Sequence, residues 1–159
     1  MKSMECPFCN VANINLRKFY ENELFLAVYN LRPLVSGHCL VMPKRHVKSL
    51  LELNESEKRG LLSFLDRVIF IALKYADAYQ FDLICQEGVS AGQSLDHAHF
   101  HVIPRKTDDG IAVAKKEWLE EFNKSERDVR KNLNTEETER IVKRLKLIVI
   151  EHRIQIEAL

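Results

Sequence analysis

The run His97-Ala98-His99-Phe100-His101-Val102-Ile103-Pro104 constrains this chain more than any other stretch. Its imidazoles recur at every second position with apolar residues between them, and a period of two is that of a β-strand. Alternate side chains of a strand share a face. The pattern therefore predicts a strand over 97–104, with His97, His99 and His101 along one side and Ala98, Phe100 and Val102 directed into a core. Such a row spans about 13 Å at about 3.3 Å per residue, a scale that suits a polyanionic substrate or a metal. One histidine on a strand is usually just a polar residue on its wetter face. Three in register, mid-chain, out of six in the whole sequence, point to chemistry.

The rest of the chain bounds that chemistry. With 159 residues there is enough chain for a proper core, and a single domain over 1–159 is expected. A net charge of +1 gives no basic field calling for nucleic acid. No apolar run reaches membrane-spanning length, so no membrane partner is expected. The start, Met1-Lys2-Ser3-Met4-Glu5, carries no apolar signal core, which favours the cytoplasm. Of the four cysteines, Cys6 and Cys9 form a C-x-x-C and Cys39 and Cys85 stand alone in apolar stretches. That is not the arrangement of a disulfide framework; Cys39 and Cys85 read as small core residues.

Apolar runs at 23–30, 38–42 and 81–86 predict three further strands, with turn signals at Arg32-Pro33 and Ser36-Gly37. Asn54 with Glu57 makes a capping box for a long helix, whose Leu61, Phe64, Leu65, Val68, Ala72 and Ala76 keep helical spacing. Residues 87–95 form a glycine-containing loop leading into the histidines. Residues 107–131 are charged and predicted mobile, with a short helix around Trp118, Leu119 and Phe122. Asn134 with Glu137 caps a last helix over 134–152, with Ile141, Leu145 and Ile148 on its apolar side. Cys6-Pro7-Phe8-Cys9 has the spacing of half a zinc site and also of a redox pair, or of two incidental thiols. No strand is predicted before it, which makes redox the weaker reading.

Taken together, the triad, Cys6-Pro-Phe-Cys9, Gly37-His38-Cys-Leu-Val-Met-Pro-Lys-Arg-His46 and Ala91-Gly92-Gln93-Ser94 resemble the histidine-triad (HIT) family. The likeness covers most of 6–106. It implies an α+β fold, an antiparallel sheet of about five strands with one long packing helix and here a C-terminal helix, usually paired as a homodimer. It also implies nucleotidyl transfer or hydrolysis at an α-phosphate. By position, His99 is then the nucleophile, forming a transient nucleotidyl-histidine that water cleaves. Histidine is substantially neutral near pH 7 and suits that role. His101 contacts the phosphate, and His38 supports His99 from the adjacent strand. Gln93 and Ser94, with the loop amides, cradle developing negative charge. Gln86 lies on the phosphate side. Asn30 aligns with the position that bonds the ribose, where many relatives have Asp. Phe8 and Leu40 are candidate walls of a base pocket, or ordinary core.

The resemblance also supplies the missing metal ligands. Some bacterial-type relatives bind zinc through a C-x-x-C, a histidine after a Pro-Lys turn and the first triad histidine, here Cys6, Cys9, His46 and His97. Two thiolates and two imidazoles close a tetrahedral site, so the zinc should be structural. Ile103-Pro104-Arg105-Lys106 replaces the apolar-Gly-Gly that usually follows the triad in the phosphoramidase branch, and Gln86 stands where that branch tends to have Asn. Both favour the fragile-histidine-triad branch, which cleaves dinucleoside polyphosphates such as diadenosine tri- or tetraphosphate. Arg105 and Lys106 are expected to attract the distal phosphates, with magnesium or another divalent cation carried by the substrate. The alternatives are a purine nucleoside phosphoramidase and a non-catalytic nucleotide-binding dimer.

Overall fold

The computed structural model describes residues 6–107, 109, 111 and 132–159. The expected charged segment at 107–131 and its helix around Trp118, Leu119 and Phe122 fall almost wholly outside the described residues.

Phe25-Leu26-Ala27-Val28-Tyr29 and Cys39-Leu40-Val41-Met42-Pro43 are apolar throughout, so each needs cover on both faces. They are β2 (Phe25–Tyr29) and β3 (Cys39–Pro43), buried at every position. They pair antiparallel, Phe25 opposite Pro43 and Tyr29 opposite Cys39. Three more strands complete an antiparallel sheet: β1 (Lys18–Glu21), β4 (Gln80–Cys85) and β5 (Phe100–Arg105), in the order β1-β2-β3-β5-β4. The five-stranded α+β architecture is the one expected.

One face of the sheet is closed by the long helix α2 (Glu55–Ala76). Both halves of its capping box are formed, Asn54 accepting from the Glu57 amide and Glu57 from that of Asn54. Its Phe64, Leu65, Val68, Ile71 and Ala72 pack against Phe25, Ala27, Tyr29, Val41, Phe100 and Val102. The helix α3 (Thr135–Glu151), capped by Asn134 and Glu137 as expected, adds Val142, Leu145 and Ile148 to the same core. A short α4 (Arg153–Glu157) follows it. The opposite face carries Leu26, Val28, Leu40 and Met42, covered by Phe8 and Ile14. Because Leu40 pairs with His101, the histidines open on this second face, away from α2.

Three differences from the sequence reading matter. Helix α1 (Val11–Arg17) and β1 were not expected; seven and four residues are too few to show a period. The histidine strand begins at Phe100, so His97 and His99 lie ahead of the ladder. The ladder pairs Val41 with Phe100 and goes no further. The Ala98 amide instead donates to the Val47 carbonyl at 2.7 Å. Finally, β4 pairs only with β5 and is a sheet edge, with Phe81 44% and Leu83 41% exposed. No described helix is long and apolar enough to cross a membrane.

Gly37 sets the approach to His38. Its φ is +87°, and a Cβ there would lie 2.9 Å from Pro104 Cγ and 3.1 Å from both the Ala72 carbonyl oxygen and Ala76 Cβ. Gly37→Ala therefore meets both left-handed strain and a packed wall, and is expected to cost about 3 kcal/mol. Urea unfolding checks this; wild-type stability would show that the turn relaxes around a side chain.

Candidate active site and metal centre

His38, His97 and His101 are almost wholly buried, and His99 nearly so. Their hydrogen bonds fix where each proton sits, because a neutral imidazole has one N–H and one acceptor nitrogen. His99 Nδ1 lies 2.8 Å from the His97 carbonyl oxygen. A carbonyl only accepts, so Nδ1 carries the proton and Nε2 holds the lone pair. On the other side, the Leu34 backbone amide donates to His38 Nδ1 at 3.1 Å. His38 Nε2 is then protonated and donates to His101 Nδ1 at 3.0 Å. That leaves the N–H of His101 on Nε2. Asn30 Nδ2 sits 3.2 Å from the same His38 nitrogen, a contact rather than a hydrogen bond once Nε2 carries the proton. The Asn30 oxygen accepts from the Arg32 amide at 3.0 Å.

Burial, with His38 and His99 beside it, holds the His101 imidazole well below its usual pKa. It is neutral at physiological pH, as the proton order requires. The His99 and His101 rings are 5.0 Å apart between centroids. His38 thus bonds His101 directly, and the His101 ring in turn lies beside His99.

Gln86, Gln93 and Ser94 lie on the loop that follows β4. Gly92, at φ +96°, leaves room for Gln86: a Cβ there would be 2.6 Å from Gln86 Nε2. Ser94 is exposed. Gln93 is held within the loop: its oxygen accepts from the Gly88 amide at 2.6 Å and its nitrogen donates to the Lys48 carbonyl at 3.0 Å. Phe8 and Leu40 belong to the second apolar face. Phe8 sets its ring edge-on to both His97 and His99, at 5.8 and 5.2 Å between centroids.

Arg105 does not have the role expected of it. It lies four residues beyond His101, about 13 Å along a strand, and its guanidinium is committed to Asp82 and Asp109, each at 2.6 Å. Lys106 is exposed, 4.0 Å from Asp77. The sequence places both just past the triad, but an extended chain carries them to the far end of β5. A cavity of about 640 Å³, lined by Tyr29, Tyr75, Arg140 and Arg144, also lies on the helix side of the sheet, so cavity size does not mark the histidines as the site.

The other cluster brings Cys6, Cys9, His46 and His97 together, with one ligand atom from each all within 4.8 Å of one another. The Sγ atoms of Cys6 and Cys9 are 3.6 and 3.7 Å from His97 Nδ1, and Cys9 Sγ is 3.3 Å from His46 Nδ1. A tetrahedron with thiolate bonds of about 2.3 Å and imidazole bonds of about 2.0 Å has mixed edges of about 3.5 Å. The donor set therefore fits a tetrahedral metal. The Pro43 carbonyl, 2.9 Å from His97 Nε2, fixes the ring with Nδ1 towards the cysteines. Without metal, burial and the adjacent Cys6 push the Cys9 thiol up to about 11, so metal must displace a proton to bind. Cys39 is buried in β3 and Cys85 half-buried in β4, both away from this cluster.

The HIT domain family matches residues 11–108. An uncharacterized HIT-like protein of Borreliella burgdorferi is 36% identical over 118 residues, covering 67% of this chain and 80% of that one. The bis(5'-nucleosyl)-tetraphosphatase [asymmetrical] of Schizosaccharomyces pombe is 40% identical over 91 residues, 57% of this chain and only half of the yeast protein. Among solved structures, a hypothetical histidine triad nucleotide-binding protein from Sulfolobus tokodaii superposes with a TM-score of 0.72 at 28% identity, covering 93% of this chain and 94% of the other.

The depressed His101 pKa gives a stability signature. The unfolded chain takes up this proton near pH 6.5, which the native imidazole refuses until lower pH. Its contribution is therefore complete above about pH 6.5 and is lost as pH falls towards the native value. His101→Gln, whose amide oxygen still accepts from His38, is expected to flatten the fall in melting temperature between about pH 7 and about pH 5. Parallel slopes for variant and wild type would count against this assignment.

Proposed function

Since this chain belongs to the HIT domain family, we propose that it hydrolyses dinucleoside polyphosphates through a nucleotidyl-histidine at His99. The observation that carries this reading is the His97 carbonyl, which accepts a hydrogen bond from His99 Nδ1–H and leaves Nε2 as a nucleophile. In the first step the Nε2 lone pair forms a bond to the α-phosphorus as the bond to the bridging oxygen breaks. The departing nucleotide keeps that electron pair. In the second step water attacks phosphorus, the N–P bond breaks back to Nε2, and a nucleoside monophosphate and a proton are released. The His101 Nε2–H stabilises charge on the phosphate oxygens, assisted by Gln86 and Ser94. Gln93 contributes by shaping the loop. Asn30 holds the ribose, and Phe8 with Leu40 flanks the base.

The choice of substrate draws support from the tetraphosphatase relative and from the absence of Gly-Gly after the triad; it no longer draws on Arg105. A divalent cation, magnesium in the ordinary case, accompanies the polyphosphate and offsets its charge. Zinc is the metal proposed for Cys6, Cys9, His46 and His97, where its service is structural. The open edge of β4 suits the proposed homodimer.

His99→Asn is expected to abolish turnover of diadenosine tri- and tetraphosphate while retaining nucleotide affinity, and His101→Ala to slow turnover less completely. Near wild-type turnover by His99→Asn removes the proposed nucleophile. The ratio of kcat/KM for either polyphosphate to that for an adenosine phosphoramidate tests the branch, and a ratio well below one reassigns the substrate.

Metal analysis of purified protein is expected to find one zinc per chain. Cys6→Ser should release it and lower the melting temperature, since a closed site contributes folding energy. Protein without zinc, whose melting point chelator leaves unmoved, would exclude the site.

A further inference from the structure

Glu87 has no part in the reaction as described, yet it is the residue on which the phosphate loop hangs. The loop closes on Gly88: its carbonyl accepts from the amides of Ala91 at 3.0 Å and Gln93 at 3.1 Å, while its amide donates to the Gln93 side chain. These bonds are short-range and lie at the surface, so the loop needs anchoring to the sheet to hold them. The side chains of Glu87, Gln93 and Asp96 all reach one segment, Lys48 to Leu50, which begins two residues after His46. Gln93 donates to the Lys48 carbonyl, and Asp96 pairs with Lys48 Nζ at 2.8 Å. The latter pair is 60% and 73% exposed, where an ion pair contributes little. Glu87 is the part-buried, charge-assisted anchor: Oε2 accepts from Ser49 Oγ at 3.0 Å and Oε1 from the Leu50 amide.

Charge sharpens the point. A carboxylate next to a polyphosphate site repels its substrate unless it faces elsewhere. Here both oxygens are turned onto neighbouring donors, the Ser49 hydroxyl and the Leu50 amide, so they hold that segment. Glu87 directly follows Gln86, whose amide lies against Gly92 with no room for a Cβ between them. Fixing Glu87 therefore fixes Gln86.

We propose that Glu87 is a positioning residue for the phosphate site, clamping the turn that carries Gln86 to the Ser49–Leu50 segment. This rests on the hydrolase reading above. A misplacement on the order of 1 Å costs about a hundredfold in rate, so Glu87→Ala should lower kcat for diadenosine tetraphosphate by about 10- to 100-fold, with KM less affected and zinc content unchanged. Glu87→Gln, which keeps an acceptor for the Leu50 amide, should recover most of that loss. In a Gln86→Ala background, Glu87→Ala should add nothing, because both substitutions disable one element.

Wild-type kcat in Glu87→Ala, or losses that multiply in the double variant, would overturn the proposal. Amide hydrogen exchange at Ala91, Gly92 and Gln93 gives a measure independent of turnover. Exchange about tenfold faster in Glu87→Ala, against a global stability that is unchanged, supports the clamp; unchanged exchange defeats it. If the wild-type protein leaves diadenosine tetraphosphate intact, the hydrolase reading falls, and the exchange rates still decide whether Glu87 holds the loop.

Discussion

The His97 carbonyl decides which nitrogen of His99 is basic, and most of the surrounding architecture holds that carbonyl in place. The His97 ring bonds the Pro43 carbonyl through Nε2 and turns Nδ1 towards two thiols. Phe8 lies edge-on against it. The following amide, that of Ala98, is tied to Val47. One residue thus belongs to the Cys/His cluster through its ring and to the proposed nucleophile through its backbone. The candidate metal site and the candidate active site are neighbours in the fold because they share it. The segment from His46 to Leu50 makes a second connection, reaching the loop that carries Gln86 through Lys48, Ser49 and Leu50.

Much of this is legible in the sequence. The apolar runs became β2, β3, β4 and β5, and both helices with Asn-x-x-Glu starts have complete capping boxes, because these signals depend on residues close in sequence. The four metal-ligand candidates follow from the family resemblance, and the fold brings together cysteine and histidine partners 37 to 91 residues apart. What could not be read was which backbone groups take part. The Leu34 amide, the Pro43 carbonyl and the His97 carbonyl do their work whatever side chain they carry, so no residue type announces them. Arg105 differs for another reason: adjacency in sequence is not adjacency in space on an extended strand, where each pair of residues moves about 6.6 Å further on. Gln93 shows a subtler limit. Its position in the loop was right, but its amide serves Gly88 and Lys48.

The two faces of the sheet divide the work. One is packed by α2 and α3 into a continuous core. The other is covered more thinly, by Phe8 and Ile14 from the first residues of the described chain. Phe8 sits between the two cysteines of the cluster, so whatever holds Cys6 and Cys9 also holds the ring that flanks His97 and His99. A face that is to admit a ligand cannot be buried under a long helix, and the short segment around Phe8 covers this one with few residues.

The Leu34 amide has a bearing on how such a chain can vary. Its side chain faces no demand from the histidines, since only the hydrogen on its nitrogen sets His38 and, through it, His101. Nineteen of the twenty common amino acids bring that hydrogen and proline does not. As far as the histidines are concerned, position 34, directly after a proline at 33, is restricted in this one respect. A second proline there would remove the donor that orders the imidazole protons, although it would alter none of the histidines by which this site is recognised.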